Sequence, residues 1–247
     1  FFFCTFYSQK LVRFSAGVPQ WMPVWSPDGN QVAFMRDNNI FLVKLLYDNS
    51  ESQVTTDGKF NEIINGVPDW VYEEEFAFNS ALTFNADGSM LCWLKFNESK
   101  VKEYSLQLYK GMKPEKKEFE LYPGYYSYKY PKAGEDNSKV TAWSYDIKSH
   151  ATRQMNVPLD ADGYIPRIYS TNDANKILIL TLNRHQDNLK VYATNPRSTV
   201  SEVIIEQKDK RYIKENAYIN MFVTPKYILM PNDAGSNIIA NVYTHVG

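Results

Sequence analysis

The chain has 247 residues, with 27 Lys and Arg residues against 28 Asp and Glu residues, for a formal net charge of -1. This balance provides no bulk attraction to nucleic acid or to an anionic membrane surface, so we expect neither partner. With 44% hydrophobic and 22% charged residues, the composition is typical of a globular protein with a sizeable core. No apolar run reaches the roughly 18 residues of a membrane-spanning helix, and the first residues lack the basic leader of a signal peptide.

Short runs rich in aromatic and β-branched residues follow one another along the chain, separated by Asp, Asn, Gly and Pro. Such runs predict antiparallel strands joined by turns. The first predicted hairpin pairs residues 31–35 with residues 40–43 across the polar turn at 37–39. Further strands are predicted at 90–96, around 140–145, at 176–182 and 189–193, and at 227–230 and 238–243.

The turns before these strands repeat. Residues 24–29 read Val-Trp-Ser-Pro-Asp-Gly, residues 83–88 read Thr-Phe-Asn-Ala-Asp-Gly, and residues 168–173 are a looser copy. One such unit per roughly 40 to 60 residues is typical of β-propeller blades. We therefore predict an all-β fold, a β-propeller of four-stranded antiparallel blades, present as a partial ring of about five blades of a larger propeller. A single domain spans 1–247, and the alternative is an irregular β-sandwich.

The usual signatures of a self-contained enzyme are missing from the sequence. There is no Gly-x-Ser-x-Gly nucleophile elbow and no glycine-rich phosphate loop. His150, His185 and His245 are not spaced to share a metal, and Cys4 and Cys92 fit buried thiols better than a disulfide. We therefore expect no catalytic residue, no metal and no cofactor in this chain.

Four tryptophans stand in or beside the aromatic runs: Trp25, Trp70, Trp93 and Trp143. They could form a platform for a carbohydrate or a peptide. Aromatic residues of propeller strands more often pack between blades, so we expect a packing role.

Three adjacent carboxylates, Glu73, Glu74 and Glu75, interrupt this pattern between aromatic and apolar neighbours. Adjacent like charges repel, and partial burial would raise their pKa values unless a cation compensates them. The free α-amine of a peptide is one such cation, because two carboxylates can share its three N–H donors. The alternative is a solvated run of charge on the surface.

Residues 65–76, Asn-Gly-Val-Pro-Asp-Trp-Val-Tyr-Glu-Glu-Glu-Phe, resemble the double-glutamate segment of the dipeptidyl peptidase IV family's N-terminal propeller. Residues 128–137 resemble the family's Tyr-Pro-Lys-Ala-Gly stretch, and residues 180–184 with 189–192 are similar to a later blade of its bacterial members. The resemblance extends roughly from Trp25 to Tyr243.

The resemblance implies that Glu74 and Glu75 lie on a short helical insertion and bind the substrate's N-terminal ammonium, with Glu73 outside the pair. Cleavage would then fall two residues into the peptide, after Pro or Ala. The family's propeller has eight blades and restricts access to a C-terminal α/β-hydrolase domain, which carries the serine, aspartate and histidine. That domain is absent from this chain, so we expect no peptide hydrolysis by the chain alone.

The resemblance also implies the partners: a peptide with a free N-terminus and the C-terminal hydrolase domain of the same protein. It allows a homodimer and implies a secreted or periplasmic location. The alternative function is a stand-alone propeller that binds a protein or peptide, with the acidic triplet as a patch for basic ends. A structural domain without a ligand is the third hypothesis.

Overall fold

The computed structural model describes residues 2–4, 9–13, 15, 19–109, 111, 119, 121–234 and 237–244. Within these ranges the chain forms twenty strands and two helices of five and four residues. Every strand pairing in this part of the chain is antiparallel. The predicted all-β class is therefore confirmed.

The strands form six sheets: five that follow one another in chain order, and a two-stranded hairpin inserted within the third. The first contains β1 (Phe2–Cys4) and β2 (Leu11–Arg13), and the second contains β3 (Trp21–Trp25), β4 (Gln31–Arg36), β5 (Asn39–Lys44) and β6 (Ser50–Gln53). The third contains β7 (Ile63–Asn65), β8 (Leu82–Phe84), β9 (Met90–Asn97), β12 (Lys139–Asp146) and β13 (Thr152–Gln154). A separate hairpin of β10 (Glu103–Leu108) and β11 (Gly124–Lys129) is inserted between β9 and β12.

The fourth sheet has its strands in sequence order: β14 (Tyr164–Ser170), β15 (Ile177–Leu182), β16 (Asn188–Thr194) and β17 (Ser201–Lys208). The fifth contains β18 (Phe222–Val223), β19 (Tyr227–Ala234) and β20 (Asn237–Thr244). Helix α1 (Trp70–Glu74) lies between β7 and β8, and helix α2 (Asn216–Ile219) precedes β18.

The predicted repeat of turns is confirmed by matching hydrogen bonds. The backbone N–H of Ser26 donates to the carbonyl of Gln31 at 2.9 Å, and Asn85 makes the same bond to Met90 at 3.0 Å. The carboxylate of Asp28 accepts from the amide two residues later at 3.1 Å, and that of Asp87 does so at 3.0 Å. Each turn uses an acidic side chain to hold the backbone before the strand that follows, β4 in one sheet and β9 in the next.

The core lies between neighbouring sheets. One apolar cluster joins the second and third sheets, and a larger one joins the third, fourth and fifth. All six residues of β15 are buried, as expected for a strand covered on both faces. Trp93 is buried and stacks on Trp143 with 6.5 Å between ring centroids, which confirms packing for these two tryptophans. Trp25 is 46% exposed, but its ring also packs edge-on against Phe3 of the first sheet, with 6.4 Å between ring centroids.

The strand predicted around 140–145 is confirmed as β12, which pairs with β9 from Lys139 opposite Asn97 to Asp146 opposite Met90. The sequence between β9 and β12 is long because it holds the inserted hairpin. The last hairpin is longer than predicted, since β19 continues through Pro231 to Ala234.

Candidate functional site

The acidic triplet lies on an excursion from the third sheet. Strands β7 and β8 both pair with β9, so this one strand fixes the two ends of the excursion. At its base the N–H of Gly66 donates to Leu94 and the N–H of Ala81 donates to Gly66, at 3.0 and 2.9 Å. Gly66 has φ +80, a conformation that L side chains disfavour. The excursion is therefore closed by the sheet's own hydrogen bonds.

Helix α1 begins after Asp69, whose carboxylate accepts from the N–H of Tyr72 at 3.1 Å. Aspartate is a preferred N-cap because its side chain satisfies an amide that the first turn leaves unpaired. At the other end Glu75 still donates its N–H to Val71 at 2.8 Å, and Ala77 then takes φ +46, which stops the helix. The predicted short helical insertion is confirmed.

Buried contacts attach this helix to the rest of the molecule. The Tyr72 ring packs against Phe96 and Phe76, with centroids 4.9 and 5.1 Å apart, and its hydroxyl accepts from the N–H of Ile165 at 3.0 Å. Burial raises the pKa of Tyr72 well above its ordinary value, with a further contribution from the charge of Asp69, so the hydroxyl stays neutral. The helix is thereby held by β9 and β14 together.

A buried acidic pair lies beneath the start of the helix. Asp69 accepts a hydrogen bond from the hydroxyl of Ser138, and burial raises its pKa despite that bond. Glu98 is 6% exposed, and burial together with the nearby Asp69 raises its pKa to about 7, opposed by Lys129. Two carboxyl groups in one apolar region disfavour each other's ionisation.

The three glutamates of the triplet are exposed, in contrast to Asp69. Neither a hydrogen bond nor an ion pair engages the carboxylate of Glu73, Glu74 or Glu75 with the residues that the structure describes. Successive residues of a helix differ by roughly 100° in direction, so Glu73 and Glu75 diverge while Glu74 stands between them. The three side chains therefore cannot all face one small cation.

A cleft of about 560 Å³ opens beside the helix, and Glu75 lies on its wall. The inserted hairpin and the segment after it form the other side. Trp70 packs against Tyr130, with 4.4 Å between ring centroids, and against Tyr128 at 6.4 Å. Arg184 faces the same space. The cleft thus combines aromatic surface with groups of both charges.

Some of this site was missed by sequence reasoning. Trp70 was expected to pack between blades, but it is half-buried and lines the cleft. Tyr128 and Tyr130 are two residues apart at the end of a strand, so they share a face, and this spacing was the available signal. The hairpin brings them to the helix from more than fifty positions further along the chain, which periodicity cannot reveal.

Other predicted residues lie apart from the site. Cys92 is buried in the core, as predicted, whereas Cys4 is exposed, so the prediction of a buried thiol was wrong for Cys4. His150 contacts the hydroxyl of Tyr145 in a turn, and His245 lies outside the described residues. Over the described ranges, no three His, Cys, Asp or Glu side chains are grouped to hold a metal ion. Neither of the two short helices described here has the length and apolarity to cross a membrane.

Comparison with known proteins defines the class as an all-β propeller domain of peptidases. The family model described as "Dipeptidyl peptidase IV (DPP IV) N-terminal region" matches residues 4–245. The chain therefore belongs to the dipeptidyl peptidase IV family, as its N-terminal region.

Individual relatives agree with this assignment. The crystal structure of Porphyromonas gingivalis dipeptidyl peptidase 4 matches 95% of this chain with 38% identity and a TM-score of 0.88. "Probable dipeptidyl-aminopeptidase B" of Emericella nidulans is 38% identical over 194 residues, and "Dipeptidyl-aminopeptidase B" of Aspergillus niger is 34% identical over 191 residues, each match covering 74% of this chain. The chain spans 21% of the length of these two relatives and 32% of the solved structure.

Proposed function

We propose that this chain is the substrate-gating, amine-binding region of a serine exopeptidase that releases Xaa-Pro and Xaa-Ala dipeptides. Glu74 and Glu75 bind the ammonium group of the peptide's first residue, and Glu73 lies outside the pair. The nucleophile and its partners belong to a hydrolase domain of the full-length protein. A secreted or periplasmic location is part of the same proposal.

The observation that carries this proposal is the state of the two carboxylates. They are exposed, they have no partner among the described residues, and they extend from a helix that is fixed at its base. Other acidic groups already form ion pairs within the protein. Asp57 pairs with Lys95 at 2.6 Å, and Asp146 pairs with Arg197 at 2.6 Å. Carboxylates without a protein cation are free to bind one from the substrate.

The chemistry of an ammonium group fits two carboxylates. It has three N–H donors, and each charge-assisted hydrogen bond contributes about 1.5 to 3 kcal/mol. A fixed amine site also sets the position of the scissile bond, because the distance from the amine to the second peptide bond is nearly constant. The relatives' names, which describe dipeptidyl-aminopeptidases, support this role.

Binding of Ala-Pro to the full-length protein tests the proposal by calorimetry, with N-acetyl-Ala-Pro as the matched ligand that lacks the positive charge. We expect saturable binding of Ala-Pro and at least about tenfold weaker binding of the acetylated form. Equal affinities would reject the amine site. Binding of basic proteins without any dipeptide binding would favour the alternative of a recognition patch.

A further inference from the structure

A buried arginine contacts the chain directly after the acidic triplet. Arg167, on strand β14, is 6% exposed. Its Nη2 donates to the carbonyl of Phe76 at 2.6 Å and lies 3.4 Å from that of Ala77, and its Nη1 donates to Pro166 at 2.6 Å. The guanidinium lies over the ring of Phe78, 5.0 Å from its centroid. It therefore contacts three consecutive residues that follow Glu75.

Burying the charged side chain of Arg167 costs free energy of folding. Burial lowers the pKa of Arg167, yet an arginine keeps its proton in proteins, so a full positive charge lies in the core. A buried charge is usually paired with an opposite charge. No carboxylate of the described residues forms an ion pair with Arg167. Its guanidinium donates to backbone carbonyls and lies beside the hydroxyl of Tyr169. An apolar residue of the same length would fill this space without that cost.

The backbone that it holds is strained. Ala77 has φ +46, in the left-handed region that residues with a β-carbon disfavour. Such a conformation persists where surrounding contacts fix it. The bond to the Phe76 carbonyl and the stacking on Phe78 are contacts of this kind, on either side of Ala77.

The same strand also holds the helix itself. Ile165, two residues before Arg167, donates its N–H to the hydroxyl of Tyr72 at 3.0 Å. The start of the helix is fixed separately by Asp69 with Ser138. Arg167 thus fixes the exit of the helix, where Glu75 is the last residue in helical conformation.

We infer that Arg167 is a positioning residue that fixes the exit of α1 and thereby the direction of the Glu75 carboxylate toward the substrate amine. This inference rests on the proposed amine-binding role of Glu74 and Glu75. It concerns orientation, since Arg167 is buried and bonds to the backbone next to Glu75.

The test is the preference of the full-length protein for a free amine. It is measured as kcat/KM for an Ala-Pro substrate divided by kcat/KM for its des-amino analogue. We expect Arg167→Met to lower this ratio about tenfold, equivalent to one weakened charge-assisted hydrogen bond, with the rate on the des-amino substrate nearly unchanged. Arg167→Lys retains a donor and should restore part of the ratio. Arg153→Met, at an exposed position on β13, is the matched control and should leave it unchanged.

A double-mutant cycle separates the positioning role of Arg167 from the amine-binding role of Glu75. If Arg167 acts through Glu75, Arg167→Met should have little further effect on the ratio in a Glu75→Gln background. An unchanged ratio in a folded Arg167→Met, while Glu75→Gln lowers it, would overturn the positioning role alone. An unchanged ratio in Glu75→Gln would instead reject the amine-binding role. If Arg167→Met also loses the des-amino activity, it is replaced by Arg167→Gln, which is polar but uncharged and shorter, and the ratio of that variant decides in the same way.

Discussion

The hydroxyl of Tyr72 accepts a hydrogen bond from the backbone N–H of Ile165, 93 positions further along the chain. Tyr72 belongs to the excursion from the third sheet, and Ile165 lies near the start of the fourth. The position of the acidic helix is therefore determined by two neighbouring sheets. This bond therefore couples the stability of the contact between the third and fourth sheets to the geometry of the proposed amine site.

Removing the hydroxyl of Tyr72 should destabilise the folded protein even though the ring remains. Tyr72→Phe leaves the buried N–H of Ile165 without its partner, which costs about 1 to 3 kcal/mol. We expect the free energy of unfolding in urea to fall by that amount. Tyr126→Phe removes a hydroxyl from a ring that is 55% exposed and should change it by less than about 0.5 kcal/mol. Equal values for the two variants would contradict the anchoring role of Tyr72.

The raised pKa of Glu98 predicts how the stability of the protein depends on pH. Its pKa is raised from 4.5 to about 7 in the folded protein, so the folded state binds more protons than the unfolded state between these values. Stability should therefore decline as the pH rises from about 4.5 to about 7, and then level off.

The variant Glu98→Gln keeps the shape of the protonated glutamate and removes its titration. We expect it to match the parent near pH 4 and to exceed it by about 1 to 3 kcal/mol at pH 8, measured by urea unfolding. Glu202→Gln, on the exposed side of β17, controls for the loss of one negative charge. A constant difference between Glu98→Gln and the parent across this pH range would contradict the assignment.

Gly66 and Gly29 offer a matched pair for the base of the excursion. Both have positive φ, +80 and +70, but a β-carbon on Gly66 would lie 3.1 Å from the sulfur of Met35, whereas one on Gly29 would meet nothing within 4 Å. Gly29→Ala should cost about 1 kcal/mol from backbone strain alone. Gly66→Ala should cost about 1 to 2 kcal/mol more because the core is overpacked. Thermal unfolding that ranks the two variants in the opposite order would reject this explanation.

The strands were predictable because their signal is local. Apolar and β-branched runs separated by polar turns correctly located β4, β5, β15 and β16. The assignment of β12 to the sheet of β9 was not predictable, since an inserted hairpin separates two strands that pair in space. Strand pairing depends on distance in the fold, and local sequence patterns do not show that distance.

The site was predictable in part for the same reason. The triplet Glu73 to Glu75 and its helix follow from adjacent residues and from the family resemblance. The contacts of Arg167 with Phe76 and Ala77 join residues about ninety positions apart, so the sequence alone reads Arg167 as an ordinary charge on a strand. Likewise, nothing local marks Glu98 as buried beneath the helix, because its burial depends on Asp69 from another segment.

The central claim is that two of three adjacent glutamates bind the substrate's amine, and it is tested most directly by neutralising them one at a time in the full-length protein. The preference for an Ala-Pro substrate over its des-amino analogue should fall about tenfold or more in Glu74→Gln and in Glu75→Gln, because each removes a charge-assisted hydrogen bond. Glu73→Gln, the neighbouring carboxylate, should retain most of the preference. An equal fall of this preference in all three variants would mean that the triplet acts only through its total negative charge. An unchanged preference in Glu74→Gln and Glu75→Gln would contradict the amine site.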